Sequence, residues 1–190
     1  MENFIAQECE KIANNFMRLK QIAPIMENIV EECLLALKNG NKIMFCGNGG
    51  SASQALHLAA ELVGRYKRNR PAMASIALST DIAILTAVGN DYGFEQIFSR
   101  QVEGIGNAGD ILIGLSTSGN SKNVVLAFEK AQEKGIKTIS FTGSAGGQMA
   151  LMADIALKVP SDTTNYIQEM HLAVGHMLCG LIEEKQFEKI

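Results

Sequence analysis

The chain has 190 residues, 47% of them hydrophobic and 19% charged, with a formal net charge of -3. That length fits one domain rather than two, and the apolar fraction is enough to fill a core, which excludes bulk disorder. No basic excess exists to neutralise nucleic-acid phosphates, Trp is absent and aromatics are 6%, so no nucleic-acid partner is expected.

Phe4, Ile5, Cys9, Ile12, Phe16 and Leu19 recur at threes and fours, which predicts an amphipathic first helix. A second helix is expected after Pro24, with Ile25, Ile29, Val30, Cys33, Leu34 and Leu37 apolar and a stop at Asn39-Gly40. Two helices alone cannot bury their faces, so they must pack on something else, another subunit being one candidate. Strands and helices then alternate. The expected strands are Lys42 to Cys46, Ala74 to Leu78, Asp110 to Leu115, Lys137 to Phe141 and Ile155 to Val159. Helices are expected over Ser51 to Tyr66, Ser121 to Lys134, Gln148 to Met152 and from Thr164 to near the end. Two further helical segments, Asp81 to Val88 and Phe94 to Ile105, flank a turn read at Gly89-Asn90-Asp91-Tyr92-Gly93.

Strands alternating with crossover helices imply a five-stranded parallel sheet covered on both faces, an open, doubly wound α/β sandwich. Ligands of such folds bind at the carboxyl ends of the strands, where strand order reverses. With no repeat or linker, residues 1–190 read as a single domain: 1–40 for packing and oligomerisation, 41–190 as the α/β core and C-terminal helix. The longest apolar run, Ala173 to Ile182, is too short to span a bilayer and contains His176, so no membrane partner is expected. The N-terminal sequence lacks the pattern of a secretory signal, and Cys9, Cys33, Cys46 and Cys179 are scattered without a CxxC pair. Both point to a reducing cytoplasm.

Two loops carry the chemistry, each at a strand end and a helix start. One is Cys46-Gly47-Asn48-Gly49-Gly50-Ser51-Ala52-Ser53; the other is Ser116-Thr117-Ser118-Gly119-Asn120-Ser121. Glycines admit a ligand close to the backbone, and free helix N-terminal amides favour an anion. The second loop adds four hydroxyls, a set suited to a phosphate monoester held without a metal. Helix capping and turn formation would account for either loop alone; two at equivalent places in one sheet point to phosphate or sugar binding. Neither is a P-loop or a dinucleotide fingerprint, so the expected ligand is a phosphorylated small molecule.

His57 and Glu61 stand four apart on one helix face, a spacing that lets both approach one metal ion or one substrate. An exposed pair serving neither purpose has the same spacing. The last helix carries Gln168, Glu169, His171 and His176 in an apolar frame. By position alone His176 reads as a core histidine, and Glu169 and His171 either as supports behind the site residues or as solvent or subunit contacts. Gln168 and His176 lie about 12 Å apart along a straight helix, a difficulty for any ion they would share. Arg65, Lys67, Arg68 and Arg70 read as a solvated basic surface that could also steer an anion. Ser161 to Thr164 reads as a loop with a helix N-cap.

Together, CGNGGSASQALHLAAELVGRY (46–66), AVGNDYGFEQIFSRQVE (87–103), GLSTSGNSKNV (114–124) and IQEMHLAVGHMLC (167–179) resemble the phosphoheptose isomerase family of the sugar-isomerase (SIS) fold, over nearly the whole chain. The resemblance implies a flavodoxin-like three-layer α/β/α sandwich. It also implies conversion of sedoheptulose 7-phosphate to D-glycero-D-manno-heptose 7-phosphate, toward the heptose of lipopolysaccharide or capsule. It makes His57, Glu61, Gln168 and His176 ligands of one zinc ion per subunit. Asn48, Gly49, Gly50, Ser51, Glu61, Asn90, Asp91, Ser116, Thr117, Ser118, Ser121 and Gln168 become substrate contacts. Family members are homotetramers with sites at subunit interfaces, which would cover the N-terminal helices and ease the Gln168–His176 separation. An enediol proton transfer needs a base and a partner acid, and Glu61 and His176 are the candidates. Tyr166 stands where many members carry a basic residue, which bears on substrate preference. The alternatives are a non-catalytic SIS protein that binds a partner such as a replication initiator, a sugar-phosphate sensor, and an isomerase of another phosphorylated ketose. The first need not retain all four of the H-x3-E and Q-x7-H positions, and the second usually carries a DNA-binding module for which this chain has no room.

Overall fold

Side chains alternate across a strand, so each strand's sequence sorts into two faces. In β1 (Ile43–Gly47), Ile43 and Phe45 point one way and Met44 and Cys46 the other, and all four are fully buried. A strand buried on both faces needs a helical layer on each side, which is why it is apolar throughout. The neighbouring β3 (Ile111–Ser116) and β4 (Lys137–Thr142) are buried in the same way, and β2 (Ser75–Ala77) and β5 (Ile155–Lys158) form the edges. All four pairings are parallel, in the order β2-β1-β3-β4-β5. The expected five-stranded α/β/α sandwich is therefore what the chain forms, with strand order reversing between β1 and β3. The computed structural model describes residues 1–187, so the last residues of the expected final helix, 188–190, lie outside the described residues.

One helical layer consists of α2 (Ala23–Lys38), α3 (Gly50–Val63) and α8 (Thr164–Gln186), packed on Ile43, Phe45, Ile113 and Phe141. The other contains α4 (Ile82–Tyr92), α5 (Ser99–Ile105), α6 (Lys122–Glu133) and α7 (Gly147–Met152), whose apolar residues meet Met44, Cys46 and Leu112. At the sheet's amino end, Asp110 is 1% exposed and ties β3 to the start of β1. It accepts from the Lys42 amide at 3.0 Å, the Asn107 amide at 2.8 Å and the Asn41 side chain at 3.2 Å, and pairs with the Lys42 ammonium. Burial alone would raise its pKa; these bonds outweigh it and hold the carboxyl below its ordinary value.

The first helix, α1 (Glu2–Arg18), buries none of its residues: Phe4 is 66% and Ile5 60% exposed. Its apolar stripe is real, but a single chain leaves it uncovered. A 3-10 turn, Leu19–Ile22, buries both of those residues and leads into α2. Pro24 lies inside the first turn of α2 rather than before it, where its missing N–H costs nothing.

Three sequence expectations are corrected. The turn read at residues 89–93 is helix as far as Tyr92, and the chain leaves α4 only at Gly93, with φ 94°. A glycine inside a helix costs about 1 kcal/mol, which Gly89 evidently tolerates. Helix α3 stops at Val63, not Tyr66, because residues 64–70 fold back onto α8. Finally, the core histidine is His171 and not His176. Ile167, Met170, His171, Val174 and Leu178 recur at threes and fours and face the sheet; His176 falls off that stripe, toward α3, and is only half-buried.

His171 is 0% exposed, lies 6.0 Å from the Phe141 ring between centroids, and both its ring nitrogens lack a hydrogen-bond partner among the described residues. Burial strips the imidazolium of water and lowers its pKa from 6.5 to about 4. Between those values the unfolded chain binds a proton that the folded chain refuses, so stability is lost as pH falls through that window. A His171→Leu variant should therefore lose roughly 1.4 kcal/mol per pH unit less than the parent between pH 6 and 4.5, as read from denaturant midpoints across that range.

Candidate functional site

The carboxyl ends of β1 and β3 lie side by side at the reversal point, and both loops singled out in the sequence meet there. Asn48 leaves β1 and Asn123 opens α6 after β3. Their amides pair reciprocally, each Nδ2 donating to the other's Oδ1 at 2.8 Å. This bridge fixes the spacing of the two loops. Gly49 turns the chain with φ 54° and starts α3, whose cap has no side-chain bond. Ser51 is buried at that helix start. In the second loop Ser116 Oγ and Ser121 Oγ share a bond of 2.8 Å, and the Gly119 amide donates to Ser116 Oγ at 3.2 Å. Ser121 thus begins α6 without capping it by its side chain, and the first amides of the helix stay free for an anion. The Ser118 hydroxyl accepts from the Asn120 amide at 3.2 Å, and the Thr117 carbonyl accepts from the Gly143 amide at 3.1 Å.

A cleft of about 400 Å³ opens between these helix starts, lined by Asn48, Ser121, Asn123, Lys122, Phe94 and Glu95. The last four were not singled out in the sequence. Asn123 shows no signal beyond its place after the hydroxyl loop, but Lys122 was legible as the only cation within the SGNSKN stretch. Asn90 and Asp91 sit exposed near the end of α4, bonded to each other at 2.8 Å. No hydrogen bond among the described residues links them to either loop.

A second cluster lies along α3. This helix and α8 run side by side in the same direction. At their amino ends the Gln168 side chain covers Gly50 so closely that a Cβ there would be 2.7 Å away, and Gln54 Nε2 donates to the Gln168 carbonyl at 2.6 Å. Further along, Gly175 admits Leu58, whose side chain would lie 2.5 Å from a Cβ at that position. This register brings His57 Nε2 and His176 Nε2 to 2.9 Å, with Glu61 Oε1 3.1 Å from His57 Nε2. The ligand atoms of His57, Glu61 and His176 all lie within 4.8 Å of one another. Two imidazole nitrogens facing each other across a carboxylate form a donor set suited to zinc. Tyr66 lies against His176, ring centroids 5.7 Å apart and planes at 26°; the sequence carried no signal for it.

Within one chain Gln168 is not part of this group. Its side chain lies at Gly50, about two turns of an unbroken α8 away from His176. The surface reading of Arg70 is also overturned: its side chain is 2% exposed, paired with Glu183 at 3.1 Å. His57 is 47% exposed at the side chain, so a single chain leaves the cluster open on one side. Tyr166 bonds Glu8 through its hydroxyl, tying α8 to α1.

The SIS domain family profile matches residues 8–143. A phosphoheptose isomerase from Akkermansia muciniphila is 57% identical over 185 residues, covering 97% of this chain and 98% of that protein. One from Rhodospirillum rubrum is 52% identical over 97% and 98% of the two chains. The solved structure of phosphoheptose isomerase GmhA from Neisseria gonorrhoeae superposes with a TM-score of 0.91 at 40% identity, over 96% of this chain and 98% of that one.

The hydroxyl loop owes its shape to Gly119, which has φ 67° and would place a Cβ 1.9 Å from the Gly146 carbonyl oxygen. A Gly119→Ala variant should lose about 3 kcal/mol in denaturant unfolding, or keep its fold with the loop displaced and inorganic phosphate binding lost in calorimetry.

Proposed function

Because the chain belongs to the SIS domain family and, within it, to the phosphoheptose isomerases, enzymes that isomerise sedoheptulose 7-phosphate, we propose how its residues divide that work. The observation that carries the proposal is the meeting of His57, Glu61 and His176 on two adjacent helices, one of which begins at the glycine-rich loop that faces the hydroxyl loop across the cleft.

Ser116, Thr117, Ser118 and Ser121, with the first amides of α6, bind the phosphate. Asn48, Gly49, Gly50 and Ser51 hold the sugar chain from the other side of the cleft, and Gln168, resting on Gly50, joins them. Asn90 and Asp91 supply further hydroxyl contacts. At the reacting end Glu61 takes the proton from C1 while O2 receives one from His176, giving the enediol. Glu61 then returns its proton to C2 and His176 recovers the proton of O1, leaving the aldose. His57, Glu61 and His176 fit a zinc ion by their donor chemistry, with Gln168 the fourth ligand by family resemblance. When bound, zinc supplies polarisation of the C2 carbonyl and stabilisation of the enediolate. Glu61 has two carboxylate oxygens and His176 two ring nitrogens, so each can serve as ligand and as proton carrier in turn.

Homotetramer formation, with sites at the interfaces, is supported by the faces a single chain leaves uncovered. These are the apolar stripe of α1, α4 with Ile82 75% exposed, and an apolar groove of about 480 Å³ between the α1–α2 turn and α8. Met177, the residue after His176, is part of its lining. A neighbouring chain also supplies a means for Gln168 and His176 of different subunits to converge. Residues 1–190 act as one domain in this reading, in the cytoplasm. No helix among the described residues is long and apolar enough to cross a membrane. The buried thiols of Cys46 and Cys179 are pushed up to about 12, chiefly by burial, which leaves them inert. The product feeds the heptose of lipopolysaccharide or capsule. A non-catalytic partner-binding role is not favoured, since enzymes of this activity align with nearly the full chain.

Purified protein should convert sedoheptulose 7-phosphate to the aldose, followed by NMR with and without zinc. Glu61→Gln should lower kcat on the order of 10³-fold while KM changes little; turnover within tenfold of the parent removes Glu61 as the base. His176→Ala should abolish conversion. Sedimentation should give four times the chain mass, and a monomer would exclude the shared site.

A further inference from the structure

Glu183 lies on α8, seven residues beyond His176, and is 2% exposed. Its carboxylate accepts from three successive backbone amides, Tyr66 at 2.9 Å, Lys67 at 2.8 Å and Arg68 at 2.7 Å, and from Arg70 Nε at 3.1 Å. Burial by itself would raise its pKa; the four bonds outweigh it and hold the carboxyl below its ordinary value. Arg70 is buried in turn and donates to the carbonyls of Glu61 at 2.8 Å, Leu62 at 2.8 Å, Gly64 at 3.3 Å and Pro71 at 3.0 Å. Two of the last carbonyls of α3, those of Glu61 and Leu62, which a helix end leaves without helical partners, are thereby satisfied from inside the protein.

Two consequences reach the site. Tyr66, held at its amide, lays its ring on His176 at 5.7 Å, and Gly180 makes room for it: a Cβ there would be 3.0 Å from that ring. The backbone of Glu61, held at its carbonyl, cannot fray with the end of α3. One buried carboxylate thus controls the neighbours of both residues assigned to proton transfer. A loop tie serving stability alone would need contact with neither.

We infer that Glu183 is a positioning residue: through the Tyr66 amide and through Arg70 it sets the orientation of His176 relative to Glu61. The kinetic part of this inference rests on the isomerase reading above; the orientation of His176 does not.

The test uses the full chain labelled with ¹³C at histidine Cε1, which gives three resonances, one for each histidine. The His176 signal is identified by its absence in His176→Ala, and Tyr66→Leu marks its position without a stacked ring. Glu183→Gln preserves shape and removes the charge. It should shift the His176 signal toward the Tyr66→Leu position and lower kcat about tenfold with KM within twofold. A folded Glu183→Gln protein with a lower melting temperature but a parental His176 signal overturns the inference, as does a shifted signal with parental kcat. Should Glu183→Gln fail to fold, Arg70→Lys keeps the charge, loses the fork and is read in the same way. A parent protein with no turnover refutes the isomerase reading instead, and the resonance then decides the positioning role alone.

Discussion

The register between α3 and α8 is the constraint on which the site depends. These helices are separated by about a hundred residues of chain, and nothing local holds them together. Their contact is set by small residues that admit large neighbours: Gly50 beneath Gln168, and Gly175 against Leu58. Cores pack at crystal-like density, so such contacts admit one arrangement and no sliding. A slip of one residue along either helix would rotate its side chains by about 100° and part His57 from His176. The buried Glu183–Arg70 pair closes the same seam at its far end, where packing alone would leave α3 to fray.

The two halves of the chemistry arise from different physics. Anion binding belongs to backbone: strands of a parallel sheet end together, the following helices start together, and their free amides converge where strand order reverses. It needs only glycines and small hydroxyl residues in the loops, joined here by the Asn48–Asn123 amide pair. The proton transfer proposed here belongs instead to side chains on rigid helices, whose positions follow from packing. The histidines show the division. His171 faces the sheet and is neutral by burial; His176, five residues on, faces α3 and is available for chemistry.

A single chain satisfies its core and leaves α1, much of α4 and one side of the His57–His176 cluster uncovered. Exposed apolar faces beside the His57–His176 cluster are the observation on which the proposed assembly rests. The same incompleteness bears on Gln168, which one chain holds at Gly50 and away from the cluster, and on Asn90 and Asp91, which no hydrogen bond among the described residues links to either loop.

Much was legible in the sequence because it depends on local pattern. Strands alternating with crossover helices gave the parallel sheet, and the glycine- and hydroxyl-rich loops after two of them pointed to an anionic ligand. The His57–Glu61 spacing also follows from helix geometry alone. Contacts between distant segments were not legible. The stacking of Tyr66 on His176, the burial of Arg70 by Glu183 and the choice of His171 for the core depend on which face of α8 meets the sheet and which meets α3. The sequence by itself determined the elements, their order and the chemistry that each loop and helix face carries. Only the tertiary structure decided which of those groups meet, because side-chain packing between helices far apart in the chain sets distances that no spacing along it encodes.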